Sequence, residues 1–176
     1  GSVHATTGFE GAAIWYPPGI AVADHVYESF KKTLLYPERF AALGELAETC
    51  DPHRPTVPHW TLELIAVDPD AQNRGIGRAL MGFGLAMCDR TGAPAFLASS
   101  NRANLSFYQR LGFSQRAEVT LPGMPAMYPM VRPAGGAADR HIESSLPLHH
   151  GGATGAAIGR FRGATASIFF LKFAAD

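Results

Sequence analysis

Leu62-Glu63-Leu64-Ile65-Ala66-Val67 runs into Asp68-Pro69-Asp70-Ala71-Gln72-Asn73-Arg74-Gly75-Ile76-Gly77-Arg78, and beyond it apolar residues recur at helical spacing. This order predicts a strand, a tight turn and a helix whose first amides stay free. The first turn of a helix has N–H groups without internal acceptors, and the aligned peptide dipoles place partial positive charge there, so an anion such as phosphate is well held. Gly75 and Gly77 lack a Cβ, which permits the turn and lets a bulky diphosphate approach the main chain. Arg78 can add a charge-assisted contact. The same residues also suit an ordinary strand-to-helix turn in which glycine serves only the geometry.

Two common phosphate-binding turns do not fit. A nucleoside triphosphate loop needs Gly-x-x-x-x-Gly-Lys-Ser/Thr, and no such run occurs. A dinucleotide fingerprint needs a third glycine where Leu80 stands and an acid at the end of the next strand, which closes instead on Ala98-Ser99-Ser100. Nucleotide-dependent redox chemistry is therefore a minor option. Gln72-Asn73-Arg74-Gly75-Ile76-Gly77 has the form Gln/Arg-x-x-Gly-x-Gly/Ala and resembles the signature of the GNAT superfamily of acyl-CoA-dependent N-acyltransferases. Downstream, Asn101 to Phe113, with Asn104 and the run Phe107-Tyr108-Gln109-Arg110-Leu111-Gly112-Phe113, is similar to the superfamily's second signature. Pro52-His53-Arg54-Pro55, His59-Trp60, Pro94-Ala95-Phe96-Leu97 and Asn104 to Tyr108 resemble the branch that contains puromycin N-acetyltransferase, over residues 11–133.

The remaining sequence agrees with one enzyme domain. A chain of 176 residues, 47% of them apolar, suffices for one core. Lys+Arg and Asp+Glu balance at 15 each, so no broad basic field points to nucleic acid or to an anionic membrane. The longest apolar runs fall short of the ~20 residues of a membrane helix, and no charged-then-apolar signal segment opens the chain, which makes the cytoplasm the default compartment. Cys50 and Cys88 belong to no Cys/His cluster, so neither zinc nor a disulfide is expected, and both read as inert thiols.

Along the chain, Val3 to Thr7 and Gly11 to Tyr16 predict a hairpin. Helices follow from Asp24 to about Leu35 and from Pro37 to about Thr49. A strand Thr61 to Val67, a helix from about Gly75 to Thr91, a strand Pro94 to Ser99 and a helix from about Ala103 to Leu111, stopped by Gly112, come next. Strands near Phe113 to Leu121 and Met127 to Arg132 complete an α/β domain with a mixed (α+β) sheet. Gly82 and Gly84 inside the long helix either permit close packing on the sheet or are simply tolerated. The domain is expected over 1–133. Residues 134–176 read as a Gly/Ala-rich extension, either disordered or docking Ala166 to Phe173 as an added strand. His149-His150 in that extension is not a specific metal site.

The resemblance implies a GNAT-like fold lacking its first strand and helices, so that the chain reads as incomplete at its N-terminus. It also implies N-acetyl transfer from acetyl-CoA, as cosubstrate and without metal, to a primary amine of a small molecule. Main-chain groups of Ile65, Ala66 and Val67 would hold the pantetheine arm, and a late strand amide would polarise the thioester. Amides of Gln72, Asn73, Arg74, Gly75, Ile76, Gly77 and Arg78 would hold the diphosphate. Asn104 would bond to pantetheine, and Tyr108 would protonate the departing sulfur. Glu63 is the candidate base, with His59 or a relayed water as alternatives; strict alternation places it with Ile65 and opposite Leu62 and Leu64. A carboxylate among Trp60, Leu62 and Leu64 would have a raised pKa suited to that role. A catalytically inactive acyl-CoA-binding module is the rival reading, and a homodimer is left open.

Overall fold

The computed structural model describes residues 2–20, 40–135 and 148–151. The expected helix from Asp24 to Leu35, the start of the next at Pro37 and the segment Ala166 to Phe173 lie outside them. The strands are β1 (Ser2–Thr6), β2 (Gly11–Tyr16), β3 (Trp60–Val67), β4 (Ala95–Ser99), β5 (Ser114–Gln115), β6 (Tyr128–Arg132) and β7 (Leu148–Gly151). The described helices are α1 (Phe40–Cys50), α2 (Ile76–Thr91) and α3 (Leu105–Arg110).

All seven strands form one sheet in the order β5-β6-β4-β3-β2-β1-β7, parallel between β3 and β4 and antiparallel elsewhere. β1 and β2 are the expected hairpin. Thr6 fixes its turn by accepting the Gly11 amide at 3.2 Å and donating to Glu10 at 2.8 Å. Glu10's carboxyl is held below its ordinary value first by that hydrogen bond, then by its own backbone, with the Arg74 charge adding.

One face of the sheet carries the larger core, in which Trp15, Leu62, Leu97 and Met130 meet Leu80, Met81 and Leu85 of α2 and Tyr108 of α3. The other face is covered in part by α1, whose Leu46 and Cys50 pack with Val119 and Met127. Gly84 settles one open question from the sequence. It lies directly against the indole of Trp15, and any Cβ there would overlap the ring. The glycine is needed because β2 and α2 touch at that point.

α2 ends as its sequence dictates. Gly92 takes φ +62°, its amide bonds to the Asp89 carbonyl at 3.3 Å, and the Ala93 amide reaches the Cys88 carbonyl at 3.1 Å. This is a Schellman closure, and Gly112 (φ +88°) repeats it after α3. Arg132 of β6, fully buried, forks onto Asp89 with contacts of 2.7 and 3.1 Å and so ties the far edge of the sheet to the end of α2.

One expectation needs correction. The strand expected from Phe113 to Leu121 shrinks to Ser114–Gln115, followed by an isolated bridge between Val119 and Met127. The cause is Pro129. Its carbonyl accepts from the Arg116 amide at 2.8 Å, but with no N–H it cannot reciprocate, so the ladder breaks there. Among the described residues of the tail, Leu148–Gly151 pairs antiparallel with β1 from Val3 to Thr6.

Candidate functional site

β3 and β4 run parallel but stay paired only at Trp60/Ala95 and Thr61/Phe96. Beyond that row β3 follows β2 as far as Val67, whereas β4 follows β6 to Ser99. The strands part, and a groove of about 390 Å³, open to solvent, is left between them. Its walls are Leu62, Glu63, Leu64 and Ile65 on one side, and Leu97 to Ser100 with Asn104 and Tyr108 on the other. Past Thr61, the edge of β3 that faces β4 offers main-chain N–H and C=O groups to whatever enters. An extended ligand rich in amides can complete such an edge as a strand would.

A bulge shapes this wall. The β2 register steps from Ile14/Leu64 to Trp15/Leu62, so Glu63 has no partner of its own. The bulge also overturns the strict alternation expected for β3. Leu62 belongs to the core under α2, and Ile65 and Val67 pack against that same core, three and five residues on. Glu63 stands at the step between them.

The turn after β3 is fixed at both ends. The Asp68 amide donates to the Glu10 carbonyl at 2.7 Å, and the Asp68 carboxylate accepts the Asp70 amide at 2.9 Å. Asn73 (φ +60°) and Gly75 (φ +83°) are both left-handed, which reverses the chain into α2. The helix starts with no side-chain cap and no acid in its first turn. Gln72 to Gly75 and Arg78 are exposed, Ile76 is buried as the anchor, and Gly77 is half-buried. A Cβ on Gly77 would meet Val67 and Phe107 only at an ordinary 3.8 Å. No protein contact demands glycine there, so the room beside it is free for a ligand.

Across the groove, Ser99 and Asn101 brace the β4–α3 connection: the Ser99 hydroxyl bonds to the Asn101 carbonyl at 3.1 Å and the Asn101 side chain accepts the Ala103 amide at 2.9 Å. Asn104, half-buried, makes no cap bond and lines the groove. Tyr108 is buried between Phe107 and Phe113, ring centres 5.2 and 6.2 Å away, and burial pushes its phenol up to about 12.

Glu63 is solvent-exposed. Crowding by the groove walls nevertheless raises its carboxyl above the ordinary 4.5, and Arg54 pulls the other way. Because water reaches the carboxylate, the crowding acts in full only when a bound molecule covers it. Tyr16 is raised by burial and by the nearby charge of Glu63. His59 does not line the groove; its Nδ1 lies 2.9 Å from the Val57 carbonyl oxygen and its ring faces Phe96. Glu63, Ile65, Asn104 and Tyr108 thus share the groove, Ala66 and Val67 continue its β3 edge, and Gln72 to Arg78 lie at the end of that edge. Sequence reasoning missed Tyr16 and the role of Arg54 beside Glu63. The pairing of Tyr16 with Thr61 joins segments far apart in sequence, and no local pattern signals it.

Residues 34–113, the stretch that builds β3, the turn, α2, β4 and α3, match the acetyltransferase (GNAT) family. This stretch is similar to GNAT acetyltransferases. Mycothiol acetyltransferase of Gordonia bronchialis is 33% identical over 90 residues, which are 44% of this chain and 29% of that protein. The mycothiol acetyltransferase of Geodermatophilus obscurus is 39% identical over 57 residues, 31% of this chain and 18% of that one. The chain therefore spans less than a third of either curated relative. Among solved structures, one from Corynebacterium glutamicum described as histone acetyltransferase HPA2 and related acetyltransferase aligns at 22% identity and TM-score 0.48, covering 74% of this chain and 61% of that one. Among the described residues no helix is long and apolar enough to cross a membrane.

Proposed function

We infer that the protein transfers the acetyl group of acetyl-CoA to a primary amine of a small molecule by direct attack. The observation that carries this reading is the parting of β3 and β4, which leads straight into an uncapped helix start free of acidic residues. The residues fit the donor. The open edge from Leu64 to Val67 suits the amides of pantetheine, with Asn104 facing it, and the amides from Gly75 to Arg78 suit a diphosphate beside Gly77. When bound, acetyl-CoA supplies an activated acetyl thioester.

The chain's own groups do the rest. A main-chain amide of β3 near the Glu63 bulge donates to the carbonyl oxygen and stabilises the charge that develops there. Glu63 takes the proton from the attacking nitrogen, directly or through water; its raised pKa makes its ionised form a stronger base. Tyr108 remains protonated at any physiological pH. Donation from so weak an acid to a thiolate whose conjugate thiol has a pKa of ~8.5 is uphill. The phenol therefore acts first as a hydrogen-bond donor to the leaving sulfur, and gives up its proton to the extent that desolvation makes the thiolate more basic too. The test is calorimetry with acetyl-CoA together with a thiol-release assay across a panel of amines. Binding followed by amine-dependent thiol release is the expected result; binding without turnover for any amine would reduce the protein to an acyl-CoA-binding module.

A further inference from the structure

We propose that the acceptor carries an anionic group, in the simplest case the carboxylate of an α-amino acid, and that Arg54 holds it. The proposal rests on the acetyl-transfer reading and assigns a substrate class to the same groove.

The register puts Tyr16, Thr61 and Phe96 side by side across β2, β3 and β4. This is the last row before the strands part, so it forms the closed end of the groove. Arg54 lies on that row. Its guanidinium carbon is 4.4 Å from the centre of the Phe96 ring, Nη1 donates to Thr61 Oγ1 at 3.4 Å, and Nε donates to Asp51 at 2.7 Å. The group is gripped on three sides, and among the described residues nothing bonds to Nη2. With 33% of the side chain exposed, the free edge is accessible.

An exposed ion pair between Arg54 and Asp51, three residues apart, contributes little to stability. It does not explain why the guanidinium is held over the Phe96 ring at the closed end of a groove. A planar fork immobilised by stacking is, however, pre-organised for a carboxylate, because little side-chain freedom remains to be lost on binding. Glu63 stands two residues beyond Thr61 on the same strand, a rise of roughly 6–7 Å. That spacing suits a molecule with its amine and its carboxylate on one carbon, once a charge-assisted hydrogen bond of about 2.8 Å is added at each end. Glu63 meets the amine and Arg54 the acid. The other groups that face Glu63 are Tyr16 from β2 and, across the groove, Asn104 and Tyr108, none of them cationic. Arg54 is therefore the cation available to an acidic acceptor among the groove's described neighbours.

The experiment compares kcat/KM for α-amino acids with that for the matching α-amino carboxamides, in the full chain and in Arg54→Gln and Arg54→Lys. The wild type is expected to prefer the acids by roughly ten- to a hundredfold, the range of a charge-assisted contact. Arg54→Gln should bring the ratio close to one, mainly through KM, and Arg54→Lys should restore part of it. A wild-type ratio near or below one, or an equal loss on acid and carboxamide in Arg54→Gln, overturns the proposal. If the wild type acetylates no amine, the acetyl-transfer reading fails, and the proposal is then decided by saturation-transfer NMR of the same pairs on the CoA-loaded protein. A carboxylate-dependent signal that disappears in Arg54→Gln sustains it; equal signals for acid and carboxamide, or none, sink it.

Discussion

The two ends of α2 are built on opposite principles. Its far half is held by protein contacts: Gly84 lies against Trp15, Asp89 is clasped by the buried Arg132, and Gly92 ends the helix in a Schellman motif. Its beginning is left open, with no cap, no acid, exposed residues from Gln72 to Gly75 and unfilled room beside Gly77. Both ends depend on glycine, but for different reasons. At Gly84 a neighbouring side chain occupies the place of a Cβ; at Gly77 nothing in the protein does. A glycine that packing does not require, at the start of a helix, is where the proposed diphosphate contact would lie.

Substitutions on either side should separate these roles. The largest expected effect is on the open side, where Tyr108→Phe removes the only hydroxyl of α3 that lines the groove while keeping the ring packed. Turnover should fall by about 10²–10⁴, with affinity for CoA almost unchanged. Steady-state kinetics beside calorimetry checks this, and unaltered turnover would remove Tyr108 from the chemistry.

Next comes Glu63→Gln, expected to lower kcat/KM on the order of a hundredfold. Its pH profile is the sharper readout. The carboxyl is raised above 4.5 and works only when ionised, so the wild-type rate should be lost as pH falls through that raised value. The variant should lack this acidic limb. The phenol of Tyr108, raised to about 12, should contribute no basic limb below pH ~10.

At the closed end, Gly84→Ala should destabilise the fold by about 1–3 kcal/mol, because the new Cβ overlaps the ring of Trp15, which is fully buried. The better helix propensity of alanine offsets up to about 1 kcal/mol of that. A denaturation midpoint at or above the wild-type value would show that β2 and α2 can move apart, and the contrast between the two ends would lose its basis.

Much of this was legible in the sequence because it is local. Turn residues predicted the hairpin, an apolar run predicted β3, helical spacing predicted α2, and Gly112 marked the stop of α3 within a residue. The failures are non-local. The early end of β5 depends on Pro129 standing opposite Arg116, and the sequence does not show which residues face each other. The Glu63 bulge depends on how β2 slides past β3, and it moved Ile65 to the side of Leu62. At the site, the turn into α2 was readable from six consecutive residues. The Tyr16, Arg54 and Glu63 grouping was not, since three separate segments supply it and the β-sheet register brings them together.

The central claim is that the room beside Gly77 belongs to coenzyme A. Calorimetric titration of CoA into the wild type and into Gly77→Ala, with a thermal melt of each, tests it most directly. The account expects the variant to keep its stability within about 1 kcal/mol, since a Cβ there meets Val67 and Phe107 only at an ordinary 3.8 Å, while its affinity for CoA falls roughly tenfold or more. Equal affinity in the two proteins, or no binding to the wild type, would contradict it.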